Sequence, residues 1–131
     1  MLIKINLLIN KIKNAICIKK KYIYFNYIKY IIKILFVLKK EGYIYNFVII
    51  NNYFFFKRKI KIYLKYVNNI SVINKIKLIS KPSRRVYIKS INIPIIKNNY
   101  GISILTTSKG ILTNKNSILH KIGGEHLFYI Y

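Results

Sequence analysis

Residues 28–42, IKYIIKILFVLKKEG, and the change of period just after them decide how this chain folds. Ile28, Ile31, Ile32, Leu35 and Leu38 recur at three- and four-residue steps, while Lys29, Lys33 and Lys40 collect on a separate face, which is the spacing of an amphipathic helix. Gly42 stands just past the end as a C-cap, so the pattern predicts a helix over about residues 28–40. From Tyr43 the period drops to two. Residues 43–50, 53–56 and 60–66 read as strands, with Asn51 and Asn52 marking a turn between the first two. In the third, Ile60, Ile62 and Leu64 alternate with Lys61, Tyr63 and Lys65, giving a strand with one buried face and one basic, aromatic face.

Upstream, Ile5, Leu8, Ile9 and Ile12 set the spacing of a first helix, closed by Lys13 and Asn14, and residues 22–25 suit a short strand. Downstream, Asn68 and Asn69 are the best linker candidate. Beyond them, residues 72–79 lead into Lys81-Pro82-Ser83, and the strand 84–89 puts Arg85, Tyr87 and Lys89 on one face. Pro94 is expected to start a short helix through Asn98, since proline is tolerated in a first helical turn. Residues 102–105 and 127–131 read as further strands. The fold class therefore reads as α+β in two small modules: an N-terminal module of helices and strands over 1–67, and a C-terminal, mostly β module over 68–131.

Composition narrows the function. The 131 residues carry 25 Lys+Arg against 2 Asp+Glu, a formal charge of +23, yet 53% are hydrophobic and 15% aromatic, too apolar for a disordered basic tail. Such a chain repels itself, and a polyanion must supply the missing negative charge. Glu41 and Glu125 are the only acids, which argues against catalysis by paired carboxylates. The single cysteine, Cys17, excludes an internal disulfide and a Cys-cluster zinc site, and His120 with His126 make a poor ligand set, so no metal, cofactor or enzymatic activity is expected. The most apolar region, 28–38, is interrupted by Lys29 and Lys33, short of the ~18 apolar residues of a spanning helix. Residues 1–13 have no secretory signal pattern and no transit-peptide composition. Lys, Ile, Asn, Tyr and Phe dominate, the residues of A+T-rich codons, a bias frequent in compact organellar genomes.

Local features sharpen the partner. Lys and Arg interleaved with Tyr can neutralise phosphates while the rings stack on bases, a combination suited to RNA; a solvated charged face is the plainer alternative. Thr106-Thr107-Ser108-Lys109-Gly110 gathers hydroxyls, a cation and a glycine, either as a phosphate- and ribose-binding turn or as a polar turn between strands; it lacks P-loop spacing. Glu125, after Gly123-Gly124, is either a site residue or one exposed carboxylate. His120, His126 and Cys17 read as surface or boundary residues.

Three strings, ISKPSRRVY (79–87), GISILTTSKGILT (101–113) and GGEHLFYIY (123–131), in this order and spacing resemble the bacterial-type small-subunit ribosomal protein S-eight family. KIKNA (11–15), LKKEGYI (38–44) and LKY (64–66) extend the resemblance upstream. It departs from the family's usual residues at Leu7, Asn26, Ser83 and Thr106. The resemblance implies a two-part α+β fold, an N-terminal αβαββ module and a C-terminal, mostly β module with one short helix, in a non-enzymatic protein that binds the central domain of small-subunit rRNA, helps organise the platform, and neighbours ribosomal proteins S-five and S-twelve. It further implies RNA contacts from Thr106, Thr107, Ser108 and Lys109, a backbone turn at Gly110, an ordering role for Glu125, phosphate contacts from Lys81 and Arg85, a ring at Tyr87, and helix contacts from Lys11, Lys13 and Asn14. With the codon bias, it points to an organelle ribosome, a plastid (apicoplast-like) one rather than a mitochondrial one. No small-molecule substrate and no membrane partner are expected. The alternative is a basic protein lying on an anionic membrane surface, its helical stripes at 5–14 and 28–40 exposed.

Overall fold

The computed structural model describes residues 1–52 and 57–131; the strand expected over 53–56 lies outside them. The chain divides into two compact units, Leu7–Ile73, and Asn74–Tyr131 together with Met1–Asn6. The fold is α+β, with helices and strands in the first and a mostly β arrangement with one short helix in the second.

The N-terminal elements are α1 (Leu2–Cys17), β1 (Tyr22–Asn26), α2 (Lys29–Lys40), β2 (Ile44–Asn52) and β3 (Lys57–Leu64), followed by a small hairpin, β4 (Tyr66–Val67) and β5 (Ile70–Ser71). Lys13 and Asn14 do not end α1: the apolar spacing continues to Ala15, and Ile5, Leu8, Ile9, Ile12 and Ala15 are all buried. In α2 the buried stripe is Ile31, Ile34, Leu35 and Leu38, so Ile34 replaces the expected Ile32, keeping one face at i, i+3, i+4 and i+7. The helix closes as expected: the Tyr43 N–H donates to the Leu38 carbonyl (2.9 Å) and the Gly42 N–H to that of Lys39 (3.1 Å). That pair of bonds is a Schellman cap, with Tyr43 and Leu38 both buried at its base.

The three strands form an antiparallel sheet in the order β1-β3-β2. Ile23, Ile60, Ile62 and Leu64 are buried on one face. The expected Asn51–Asn52 turn does not form; both residues lie in β2, opposite Arg58 and Lys57, because extending the ladder pairs backbone groups that a turn there would leave open. Nor do Asn68 and Asn69 form a linker. They are the two-residue tip between β4 and β5 with φ of 50° and 61°, a type I′ geometry that asparagine tolerates better than most side chains.

The second unit contains β6 (Ile76–Leu78), β7 (Tyr87–Ile88), β8 (Ile102–Thr107), β9 (Gly110–Thr113), α3 (Asn114–Leu119) and β10 (Gly124–Ile130). The sheet order is β6-β10-β8-β9, and β7 also pairs with β10. The short helix is α3, not residues 94–98. Ile93 before Pro94 is extended (φ −66°, ψ 121°), as a pre-proline residue prefers, and Lys97, Asn98 and Asn99 all have positive φ, which a right-handed helix cannot contain. At α3 the Thr113 hydroxyl accepts the Asn116 N–H (3.4 Å) as an N-cap.

Candidate nucleic-acid interface

The C-terminal candidates are positioned by the neighbours of β10. Register places Glu125 directly opposite Tyr87 on one side and Thr106 on the other. Directly paired residues point to the same face of a sheet, so Tyr87, Glu125 and Thr106 form a row across three strands. Glu125 is buried, 6% exposed, and its Oε1 has no hydrogen-bond partner among the described residues. The reading of Glu125 as one exposed carboxylate is thereby corrected: a carboxylate oxygen kept from water without a donor is costly. Tyr87 beside it is 68% exposed.

Two close approaches hold this row. A Cβ on Gly124 would strike the Thr106 carbonyl, so β10 and β8 pack here only because residue 124 has no side chain. On the other side, the buried Ser80 hydroxyl donates to the His126 carbonyl (2.6 Å) and accepts the Val86 N–H (3.1 Å), fastening the segment before β7 to β10. His126, expected at the surface or boundary, is 2% exposed, since β10 is flanked on both sides. Burial pushes its imidazole pKa down.

The turn between β8 and β9 is a tight hairpin with Thr107 opposite Gly110. The Thr107 hydroxyl donates to the Gly110 carbonyl (2.9 Å) and accepts the Lys109 N–H (3.3 Å), so it braces the turn. Gly110, at φ 107°, takes a backbone conformation that strains other residues, in open space where a Cβ would meet nothing. Ser108 and Lys109 are left exposed at the tip. Lys81 pairs with Arg84 across the turn after β6, and Lys81, Arg84, Arg85 and Lys89 are all exposed. The structure therefore gathers Thr106, Glu125 and Tyr87, adds the tip of 107–110, and leaves Lys81 and Arg85 on the segment leading to β7. On α1, Lys11, Lys13 and Asn14 are exposed, but only Lys11 and Asn14, three apart, share a face; Lys13 points elsewhere.

Sequence reading missed two contributors. Ser80 looks like loop ahead of Lys81-Pro82, and nothing in its local spacing shows a buried staple. The ring cluster around Lys61 was visible only as alternation in β3, because its other members come from β1.

No group of three or more His, Cys, Asp or Glu that could hold a metal ion occurs among the described residues, and no described helix is long and apolar enough to cross a membrane. A polar, cation-rimmed hairpin beside a buried acid, on a chain of charge +23, has the chemistry of a surface that meets a polyanion. Comparison gives the family. The model of the family described as Ribosomal protein S8 matches residues 4–131. The small ribosomal subunit protein uS8 of Mycoplasma mobile is 41% identical over 121 residues, covering 92% of this chain and 90% of that protein. That of Buchnera aphidicola subsp. Cinara cedri is 46% identical over 94 residues, 72% of this chain and 70% of its own. The small ribosomal subunit protein uS8c of Bigelowiella natans is 41% identical over 131 residues, covering 95% of each. The chain belongs to the ribosomal protein S8 family and is a structural protein, not an enzyme.

Proposed function

We propose that this protein is a constituent of the small ribosomal subunit that binds the central domain of small-subunit rRNA and helps assemble the platform, beside ribosomal proteins S-five and S-twelve. The observation that carries the RNA-binding part is the row Tyr87–Glu125–Thr106 next to the exposed tip Ser108–Lys109. Module 68–131 carries the specific contacts: Ser108 and Thr106 offer hydroxyls to ribose and base edges, and Lys109, Lys81 and Arg85 meet phosphates. Glu125, buried between Tyr87 and Thr106, orders the row from within the sheet. Thr107 and Gly110 shape the turn, and Tyr87 offers a ring. Lys11, Lys13 and Asn14 add contacts from α1. The host is an organelle ribosome, plastid rather than mitochondrial; the A+T-biased composition and the likeness to the Bigelowiella natans uS8c favour it, and bacterial relatives are as similar. The membrane-surface alternative requires exposed stripes on α1 and α2, whereas Ile5, Leu8, Ile9, Ile12, Ile31, Leu35 and Leu38 are buried.

The test is a titration against the central-domain rRNA and a scrambled RNA of equal length at moderate salt. Specific binding should exceed non-specific binding at least tenfold; equal affinities would overturn the reading. Ser108→Ala should lower specific affinity and leave the salt slope unchanged, whereas Lys109→Ala should reduce that slope by about 1, the value of one lost phosphate contact.

A further inference from the structure

The first sheet carries an assembly that the C-terminal site does not use. Because Ile23, Ile60, Ile62 and Leu64 are buried, the alternating residues of β1 and β3 face the opposite way. Register then sets Tyr22 opposite Tyr63 and Tyr24 opposite Lys61. The Lys61 ammonium lies 4.0 Å from the ring centre of Tyr22, 5.1 Å from that of Tyr63 and 5.8 Å from that of Tyr24. The rings meet edge to face, with centres 5.6 Å apart for Tyr22–Tyr24 and 6.2 Å for Tyr22–Tyr63. Tyr22 and Tyr24 remain 44% and 43% exposed, although each is large and apolar. A groove lined by Lys11, Lys20, Lys21 and these two tyrosines runs beside them. The Tyr66 hydroxyl donates to the Lys20 carbonyl (2.7 Å) and the Leu64 N–H to that of Lys21 (2.9 Å), so the lysine-bearing turn is tied to the sheet.

Aromatic faces at the surface beside a file of cations, with no acid among the residues that line the groove, match the chemistry of an unpaired RNA strand: rings for the bases, ammonium groups for the phosphates. A duplex, whose bases are stacked inside, offers the rings nothing. We propose that Tyr22, Tyr24 and Tyr63 form a stacking platform for unpaired nucleotides, with Lys61, Lys11, Lys20 and Lys21 meeting the adjoining phosphates. In the free protein Lys61 covers the rings; a nucleotide takes its place on a ring, and Lys61 turns to the phosphate. This rests on RNA as the partner but not on how the 106–110 hairpin reads it, and it makes the first unit a second, sequence-tolerant RNA contact.

The experiment uses the full chain with a fluorescein-labelled ten-nucleotide uridine strand and a ten-base-pair RNA duplex, read by anisotropy. The paired substitutions Tyr22→Leu and Tyr24→Leu should weaken single-strand binding about tenfold or more and duplex binding less than twofold. Tyr22→Phe with Tyr24→Phe should restore it, since stacking needs the ring and not the hydroxyl. Lys61→Met should lower the single-strand salt slope by about 0.7. Wild-type protein irradiated with a 4-thiouridine strand should crosslink within the β1 or β3 segments, a readout that does not depend on any variant folding. Crosslinks confined to residues 106–110, Leu variants that bind like wild type, or equal losses on both RNAs would overturn the platform. Flotation on phosphatidylglycerol vesicles that the uridine strand cannot displace would overturn it too. Lys109→Ala should leave uridine-strand binding within twofold, so a failed hairpin reading and a failed platform give different results.

Discussion

His126 shows what a single buried ring does to the response of the chain to acid. Its Nε2 has no hydrogen-bond partner among the described residues, and burial lowers its pKa below the ~6.5 of an unfolded histidine. Between the two values the unfolded chain holds the extra proton, so stability is complete above about 6.5 and falls as pH drops toward the folded value. In most proteins carboxylates mask such an effect. Here Glu41 and Glu125 are the only ones. Urea midpoints measured from pH 7.5 to 5 should therefore decline, and His126→Gln should flatten the decline; an unchanged profile would assign it elsewhere. Neither the burial nor its consequence is legible from the string GGEHLFYIY, since a histidine next to a glutamate reads as surface until both flanks of β10 are known.

At the scale of elements, β10 depends on how near its neighbours can come. Gly124→Ala would drive a methyl into the Thr106 carbonyl, and overpacking of this kind costs about 1–3 kcal/mol. Gly110→Ala meets no atom but must hold φ near 107°, costing about 1–2 kcal/mol. Both should lower the unfolding midpoint. Only Gly124→Ala should also displace the Glu125–Thr106 pair, so its loss of specific RNA affinity should persist at temperatures where circular dichroism shows it folded. The elements that sequence made legible were those whose period is sustained over many residues: α1, α2, and the alternation of β3. The misreadings fall where a local preference meets a longer-range one. Asn51 and Asn52 favour turns yet extend a ladder, and Pro94 invites a helix that three positive-φ residues forbid. α3, only six residues of which Asn114, Asn116 and Ser117 are weak helix formers, rests on the Thr113 cap and tertiary burial of Asn114 and Ser117. The hairpin at 106–110 could be placed from sequence, but the assignment of Thr107 to bracing and Ser108 to the open tip needed geometry.

Across the whole molecule, +23 means that folding concentrates like charges with almost nothing to pair them. Screening should help the free protein and harm its complex. The thermal midpoint should rise by several degrees between about 50 and 500 mM sodium chloride, as screening within a Debye length of ~10 Å at 0.1 M takes hold, while RNA affinity falls steeply over the same range. A midpoint that fell with salt would mean that the unfolded chain is relieved more than the folded one.

Every strand that pairs with β10 precedes it in the chain: β6, β7 and β8 all wait for residues 124–130. A ribosome making this protein thus releases both flanks of β10 before β10 itself, and the second unit cannot close until that strand emerges. All 25 cations, the last at Lys121, are synthesised earlier than Glu125. The nascent chain is a polycation before β10 can pair, and a copy cut short at the paired glycines would keep all that charge and lack the strand on which the row Tyr87–Glu125–Thr106 is built.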